Sequence, residues 1–364
     1  MEIIIQKELL EGEEMIETEI IKINPKAPED QYLEKAADIL RRGGLVAFPT
    51  ETVYGLGASI NNKEGLKRIF SVKGRPGDNP LITHLYTWEQ LPEIALEVPE
   101  RALVLAKKFW PGPLTLILPK KETIPPEVTA GLSTVAVRVP AHPVALEMLR
   151  KTKIPVAAPS ANLSGRPSPT RGSHVITDLN GKIEMILDAG ATGVGLESTV
   201  LDLTSPRPRI LRPGGVTLEM LEEVFGEGSV EAPQFTNVGR PIAPGMKYRH
   251  YAPQAPLSLY SGSQDKLNKY LPEKVAEDLK AGKKIGILAY DEDRSYYELP
   301  GLHFFSLGKR SHPEEGAERL FYLLRLCDQV GVEYIYAIAP PRIGLGEAVY
   351  NRLWKASGGK VEEI

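Results

Sequence analysis

Apolar residues along this chain fall in short continuous runs, separated by segments where they recur every three or four positions. Buried-strand runs alternating with amphipathic helix faces predict an α/β protein. Residues 28–42 carry a helical pattern that stops at Gly43-Gly44, and 45–48 read as a buried strand halted by Pro49. Further helices are predicted over 64–72, 99–110 and 143–150. The second is stopped by Pro111-Gly112-Pro113, and the third opens on Pro143, whose fixed φ suits a first helical turn. Strands are predicted over 114–118, 135–139, 156–158, 185–187, 199–203 and 209–211, and a capped helix over 217–225. These elements define a predicted α/β domain over 20–225, with the acidic first residues peripheral to it.

No period of 2 or 3.6 survives between 226 and 256, where Pro233, Pro241, Pro244, Pro253 and Pro256 alternate with glycines. That composition predicts a semi-rigid linker. Beyond it, strands at 257–260, 284–290, 303–306 and 334–339 alternate with helices at 264–281, 314–330 and 346–356. A second, smaller and mostly parallel α/β unit over 257–364 is expected.

Composition narrows the function classes. Hydrophobic residues make up 42% and charged residues 25% of the 364, as in an ordinary globular protein. The formal net charge is −3, which argues against an autonomous nucleic-acid binder and confines any RNA contact to a local patch. The single cysteine, Cys327, sits on a predicted apolar helix face and forms no internal disulfide. With no secretory pattern and no apolar run of the ~18 residues needed to span a bilayer, a cytoplasmic location and no membrane partner are expected.

The common nucleotide and hydrolase fingerprints are missing. There is no P-loop and no nucleophile elbow, and the six histidines show no metal-ligand spacing. Gly193-Val194-Gly195 resembles half of a dinucleotide loop but leads into a predicted strand rather than a helix. Four other segments can carry chemistry. Pro49-Thr50-Glu51-Thr52-Val53-Tyr54-Gly55-Leu56 follows a strand end, where ligands of α/β sheets gather. Lys73-Gly74-Arg75-Pro76 is a stiff cationic turn suited to polyphosphate. A small-residue strand runs into Pro159-Ser160-Ala161-Asn162 and on to Ser168. Within the linker, Pro244-Gly245-Met246-Lys247-Tyr248-Arg249-His250-Tyr251-Ala252-Pro253 interleaves aromatic and cationic residues as a closing flap would. Taken alone each has a plainer reading: a satisfied turn, a solvated basic loop, an Asx turn, a tether.

Together and in this order, the four segments resemble the Sua5/YrdC family, the threonylcarbamoyl-AMP synthases. The resemblance covers nearly the whole chain in its longer, Sua5 form. It implies a YrdC-like twisted mixed-sheet catalytic domain plus a smaller Rossmann-like α/β domain. It also implies a reaction: L-threonine, bicarbonate and ATP yield threonylcarbamoyl-AMP and pyrophosphate, the first step toward threonylcarbamoyl on adenosine 37 of tRNA. A downstream transferase complex receives the adenylate. By match to the family pattern, Lys73, Arg75, Ser160 and Asn162 surround the reacting centre. Asn79, Thr134, Ser168, Arg212 and Tyr248 join Arg75 and Ser160 in an ATP site. Thr52, His84, Arg138, Ala158 and Ser198 hold threonine. Arg138 ends a predicted strand, where its fork can grip a carboxylate. Mg²⁺ is expected with ATP, with phosphate and water as its main ligands and no dedicated protein site.

Two alternatives belong to other classes. A double-stranded-RNA or tRNA-binding module would use the cationic cleft for a phosphate backbone, although the acidic balance weighs against it. A hydrogenase-maturation carbamoyltransferase would need a cysteine-rich zinc finger, which one cysteine cannot supply.

Overall fold

The computed structural model describes residues 16–234 and 250–364. Ten strands form the first sheet: β1 (Glu19–Lys22), β2 (Val46–Phe48), β3 (Gly55–Ser59), β4 (Ile82–His84), β5 (Leu114–Pro119), β6 (Thr134–Arg138), β7 (Val156–Ala158), β8 (Met185–Asp188), β9 (Thr199–Asp202) and β10 (Arg209–Arg212). Their order is β1-β8-β2-β3-β7-β4-β6-β5-β9-β10, with parallel and antiparallel pairs mixed. Five more strands form a second sheet: β11 (Leu257–Ser261), β12 (Ile285–Ala289), β13 (His303–Ser306), β14 (Tyr334–Ile338) and β15 (Val361–Glu363). They lie in the order β13-β12-β14-β11-β15 and pair in parallel throughout. The mixed α/β architecture expected from the sequence is thus present.

Helix boundaries follow the local signals. Helix Lys63–Lys73 starts where the Asn62 side chain accepts from the Gly65 amide and ends at Gly74, at φ 59°. A left-handed C-cap is open to glycine without steric cost. Thr217 caps helix Leu218–Phe225 by accepting from the Met220 amide. Four strands lie outside the sequence-based expectation; one is β15, Val361–Glu363, at the edge of the second sheet. Residues 19–22 add an edge strand to β8, although the N-terminal stretch reads as peripheral. Residues 55–59, expected as part of a turn, form β3. Residues 82–84 form β4. All are short, and apart from the β2–β3 pairing their backbones are satisfied by partners distant in sequence, which local pattern does not record.

The two sheets share a packed seam. Val53 and Leu196 from the first region and Tyr251 belong to the same buried cluster as Leu320, Phe321 and Leu353 of the second. Cys327 is buried in that cluster, and burial pushes its thiol well up.

Candidate active site

Sheet register brings the threonine-type residues together. In the parallel pair β4–β6, His84 stands opposite Arg138, and in the antiparallel pair β4–β7, Ile82 stands opposite Ala158. The Pro49–Tyr54 turn folds over this strand end. Tyr54 donates its amide to the Pro169 carbonyl, and Ala161 donates to the Tyr54 carbonyl, 2.9 and 2.8 Å away. Two segments more than a hundred residues apart in sequence therefore wall one cleft of about 640 Å³, counting its open mouth.

Arg138 is buried and held on three sides. Its Nη1 donates to Thr52 Oγ1 at 2.9 Å, its Nε to the Gly112 carbonyl at 3.2 Å, and its Nη2 lies 2.6 Å from Glu51 Oε1. The last contact is a charge contact without hydrogen-bond alignment, so Nη2 keeps unused donor capacity. Thr52 is itself fixed by Thr50, whose hydroxyl also donates to the Val53 carbonyl at 2.6 Å. Burial, reinforced by the Arg138 charge, lowers His84 to about 3, so its imidazole is neutral. Ser198 bridges the next strand: its hydroxyl meets Thr115 Oγ1 at 2.7 Å and accepts from Arg212 Nη2 at 3.1 Å.

The nucleotide-type residues form the other wall. The buried Lys73 ammonium donates to the carbonyls of Ser160, at 2.6 Å, and Asn162. It fixes the shape of that loop, and burial with the nearby Arg75 charge pulls its pKa well down. Ser160 Oγ donates to Asn162 Oδ1 at 2.5 Å, while the Asn162 amide donates to the Leu163 and Arg166 carbonyls. Arg75 donates to the carbonyls of Asn79 and Pro80, and burial lowers it to about 10, still charged near neutrality. Arg212 is buried close to both Arg75 and Arg138.

Thr52, His84, Arg138, Ala158 and Ser198 all line the cleft, as do Arg75, Ser160, Asn162, Ser168 and Arg212. Lys73, Asn79 and Thr134 are not among its lining residues. Lys73 lies behind the loop it holds. Asn79 is fully buried with both side-chain atoms unpartnered. Thr134 begins the strand that Arg138 ends, about 13 Å of extended chain away. Tyr248 lies outside the described residues.

The structure also adds residues that the sequence-based set omits. Glu51 pairs with Arg138, and Glu197 lines the cleft and accepts from Ser168 at 2.5 Å. His250 and Tyr251, the described end of the aromatic and cationic segment, line it as well. The Ala252 amide donates to the Gly165 carbonyl at 3.0 Å, which anchors this segment beside the Ser160–Ser168 loop. The interleaved aromatics signalled His250 and Tyr251. Glu197 had no such signal beyond the glycines before it.

Comparison with known proteins agrees with this geometry. Residues 38–214 match the Sua5/YciO/YrdC family, described as Telomere recombination. Residues 216–358 match the family described as Threonylcarbamoyl-AMP synthase, C-terminal domain. A threonylcarbamoyl-AMP synthase from Pyrococcus abyssi is 49% identical over 92% of this chain and 97% of its own length. One from Bacillus subtilis is 46% identical over 91% and 94%. The crystal structure of P. abyssi Sua5 complexed with L-threonine superposes with a TM-score of 0.88 at 48% identity, covering 95% of this chain and all of that one. The chain belongs to the Sua5/YrdC family, in its long form with a Sua5 C-terminal domain.

Proposed function

We propose that this protein is an L-threonylcarbamoyladenylate synthase, a nucleotidyltransferase that supplies activated threonylcarbamoyl for adenosine 37 of tRNA. One observation carries the reading. Arg75, Arg138 and Arg212 converge on a cleft whose nearby carboxylates, Glu51 and Glu197, are already paired with Arg138 and Arg352. Arg75 and Arg212 remain as cations for a triphosphate, and Arg138, though paired with Glu51, keeps unused Nη2 donor capacity for an amino-acid carboxylate.

The chemistry divides into two steps. The neutral threonine amine and bicarbonate give the N-carboxylate and water. A carboxylate oxygen then attacks the α-phosphorus of ATP, the bond to the β-phosphate oxygen breaks, and pyrophosphate leaves. The charge that accumulates falls between the three arginines, so positioning and electrostatic stabilisation supply most of the catalysis. Thr52, His84, Arg138, Ala158 and Ser198 are assigned to threonine. Arg75, Asn79, Thr134, Ser160, Ser168, Arg212 and Tyr248 are assigned to ATP. Lys73 and Asn162 shape the loop between them, each through the bonds described above. His84, titrating at about 3, is too weak a base to take the ammonium proton at neutral pH, so we assign it to packing and hydrogen bonding.

Mg²⁺ would arrive with the triphosphate and neutralise part of its charge. The described residues offer no group of three or more His, Cys, Asp or Glu that could hold a metal. Since Glu51 and Glu197 are both engaged by arginines, phosphate and water oxygens are the ligands that fit, and no step is assigned to the ion.

The RNA-binding alternative is not favoured, because relatives matched over nine-tenths of the chain are synthases. No helix among the described residues is long and apolar enough to cross a membrane. A cytoplasmic location and hand-over to a transferase complex remain part of this proposal. Weak tRNA contact also remains part of it, though neither step above requires it. The test is to incubate the protein with ATP, threonine and bicarbonate and follow pyrophosphate and the adenylate by mass spectrometry. Release of pyrophosphate should require threonine and bicarbonate together. Equal release without threonine would exclude the reaction.

A further inference from the structure

The Gly193–Ser198 loop was unexplained as a nucleotide motif, and the structure gives it a different place. Gly195, at φ 77°, lies against the backbone of Ala317 and Glu318 in helix Pro313–Val330, where no Cβ would fit. Leu196 is fully buried in the core of the second sheet's helices. Glu197 receives Arg352 from helix Leu345–Ala356, and Ser198 lines the cleft. Four consecutive positions thus connect the C-terminal domain to the site.

Arg352 has no solvent exposure. Its Nε donates to Glu197 Oε2 at 2.8 Å, and its Nη1 to the Pro213 carbonyl at 2.8 Å, one residue beyond Arg212. Burial pushes the Glu197 carboxyl up, but Arg352 and Arg212 outweigh it and hold the group below its usual range. Glu197 therefore stays ionised and accepts the Ser168 hydroxyl through Oε1 at 2.5 Å. Arg325, from the other C-terminal helix, fixes the same loop from behind. It donates to the Pro167 carbonyl at 2.7 and 3.1 Å and pairs with Asp178 at 2.7 Å. A buried guanidinium is costly to desolvate, and these two are spent on the residue just before Ser168 and on the carboxylate that orients it.

We propose that Arg352 is a positioning residue for the nucleotide site: the C-terminal domain sets the Ser168 hydroxyl through Glu197, and so helps to complete the ATP site. This rests on the synthase reading and on Ser168 as an ATP ligand.

The test is a double-mutant cycle in the full-length protein. Arg352→Met should raise KM for ATP by about tenfold, as loss of a charge-assisted hydrogen bond does, with KM for threonine and kcat changed less than about twofold. In a Ser168→Ala background, itself raised in KM for ATP, the same change should add less than about twofold, because the group being positioned is gone. Additive effects, a parallel rise in both KM values, or a Ser168→Ala enzyme with unchanged KM for ATP would each overturn the inference. If Arg352→Met does not fold, the near-isosteric Glu197→Gln takes its place in the same cycle and is judged by the same outcomes. A wild-type protein without threonine-dependent pyrophosphate release would instead overturn the synthase reading itself.

Discussion

His84 and Arg138 are register partners on the parallel strands β4 and β6, and the guanidinium reinforces burial in keeping the imidazole neutral. The same condition holds for His174 and His250, lowered to about 4 and about 3, each mainly by burial. In the unfolded chain these histidines titrate near 6.5. Between the two values the unfolded state binds more protons, so folding stability is full above about pH 6.5 and falls as the pH drops toward 4. His174 lies outside the cleft lining, where it accepts from the Thr170 amide. In His174→Gln, the slope of unfolding free energy against pH between about 4.5 and 6 should fall by one proton, roughly 1.4 kcal/mol per pH unit. Denaturant melts across that range check this. An unchanged slope would mean that His174 is protonated in the native state.

Arg138→Ala should weaken threonine binding by about 10- to 150-fold, with a much smaller change for ATP. It also strips Glu51 of its cation, so stability should drop by about 3–5 kcal/mol. Adding Glu51→Gln should recover stability without recovering affinity. Calorimetric titration and thermal melts separate the two effects. Recovery of both together would make Arg138 a purely structural ion pair.

Arg75 and Lys73 should fail differently. Arg75 lines the cleft, so Arg75→Ala should raise KM for ATP by about tenfold or more; it also leaves the Asn79 and Pro80 carbonyls without their donor and should cost roughly 1–3 kcal/mol of stability. Lys73→Ala leaves two buried carbonyls without their donor and should cost roughly 1–3 kcal/mol of stability as well as turnover. A Lys73→Ala enzyme whose KM for ATP rises as far as that of Arg75→Ala would remove the distinction drawn between a ligand and a loop holder.

Two glycines with similar φ predict unequal costs. Gly282, at φ 81°, has open space where a Cβ would stand, so Gly282→Ala should cost only the left-handed strain of about 1–2 kcal/mol. Gly195 faces helix backbone, so Gly195→Ala should cost distinctly more and loosen the seam between the two sheets. Limited proteolysis together with thermal melts would show it. Matching costs would mean that the seam accommodates a methyl group.

Much of this protein was legible in its sequence because the signals are local. Prolines, glycines and caps mark where helices stop and start, as Gly74 and Thr217 show. The Pro49–Leu56, Lys73–Pro76 and Ser160–Asn162 segments identified the family, and with it the five threonine-type residues that line the cleft. Tertiary structure alone decided what long-range partners determine. Short strands such as Ile82–His84 exist only because β6 and β7 satisfy their backbone, and that register is what sets His84 beside Arg138. The state of His84 follows from burial, which no linear pattern encodes. Glu197 and Arg352 lie 155 residues apart in the chain, in segments whose local patterns predict a loop and a helix. Their pairing, and with it the reach of the C-terminal domain into the site, arises only when the two sheets pack and exclude water between them.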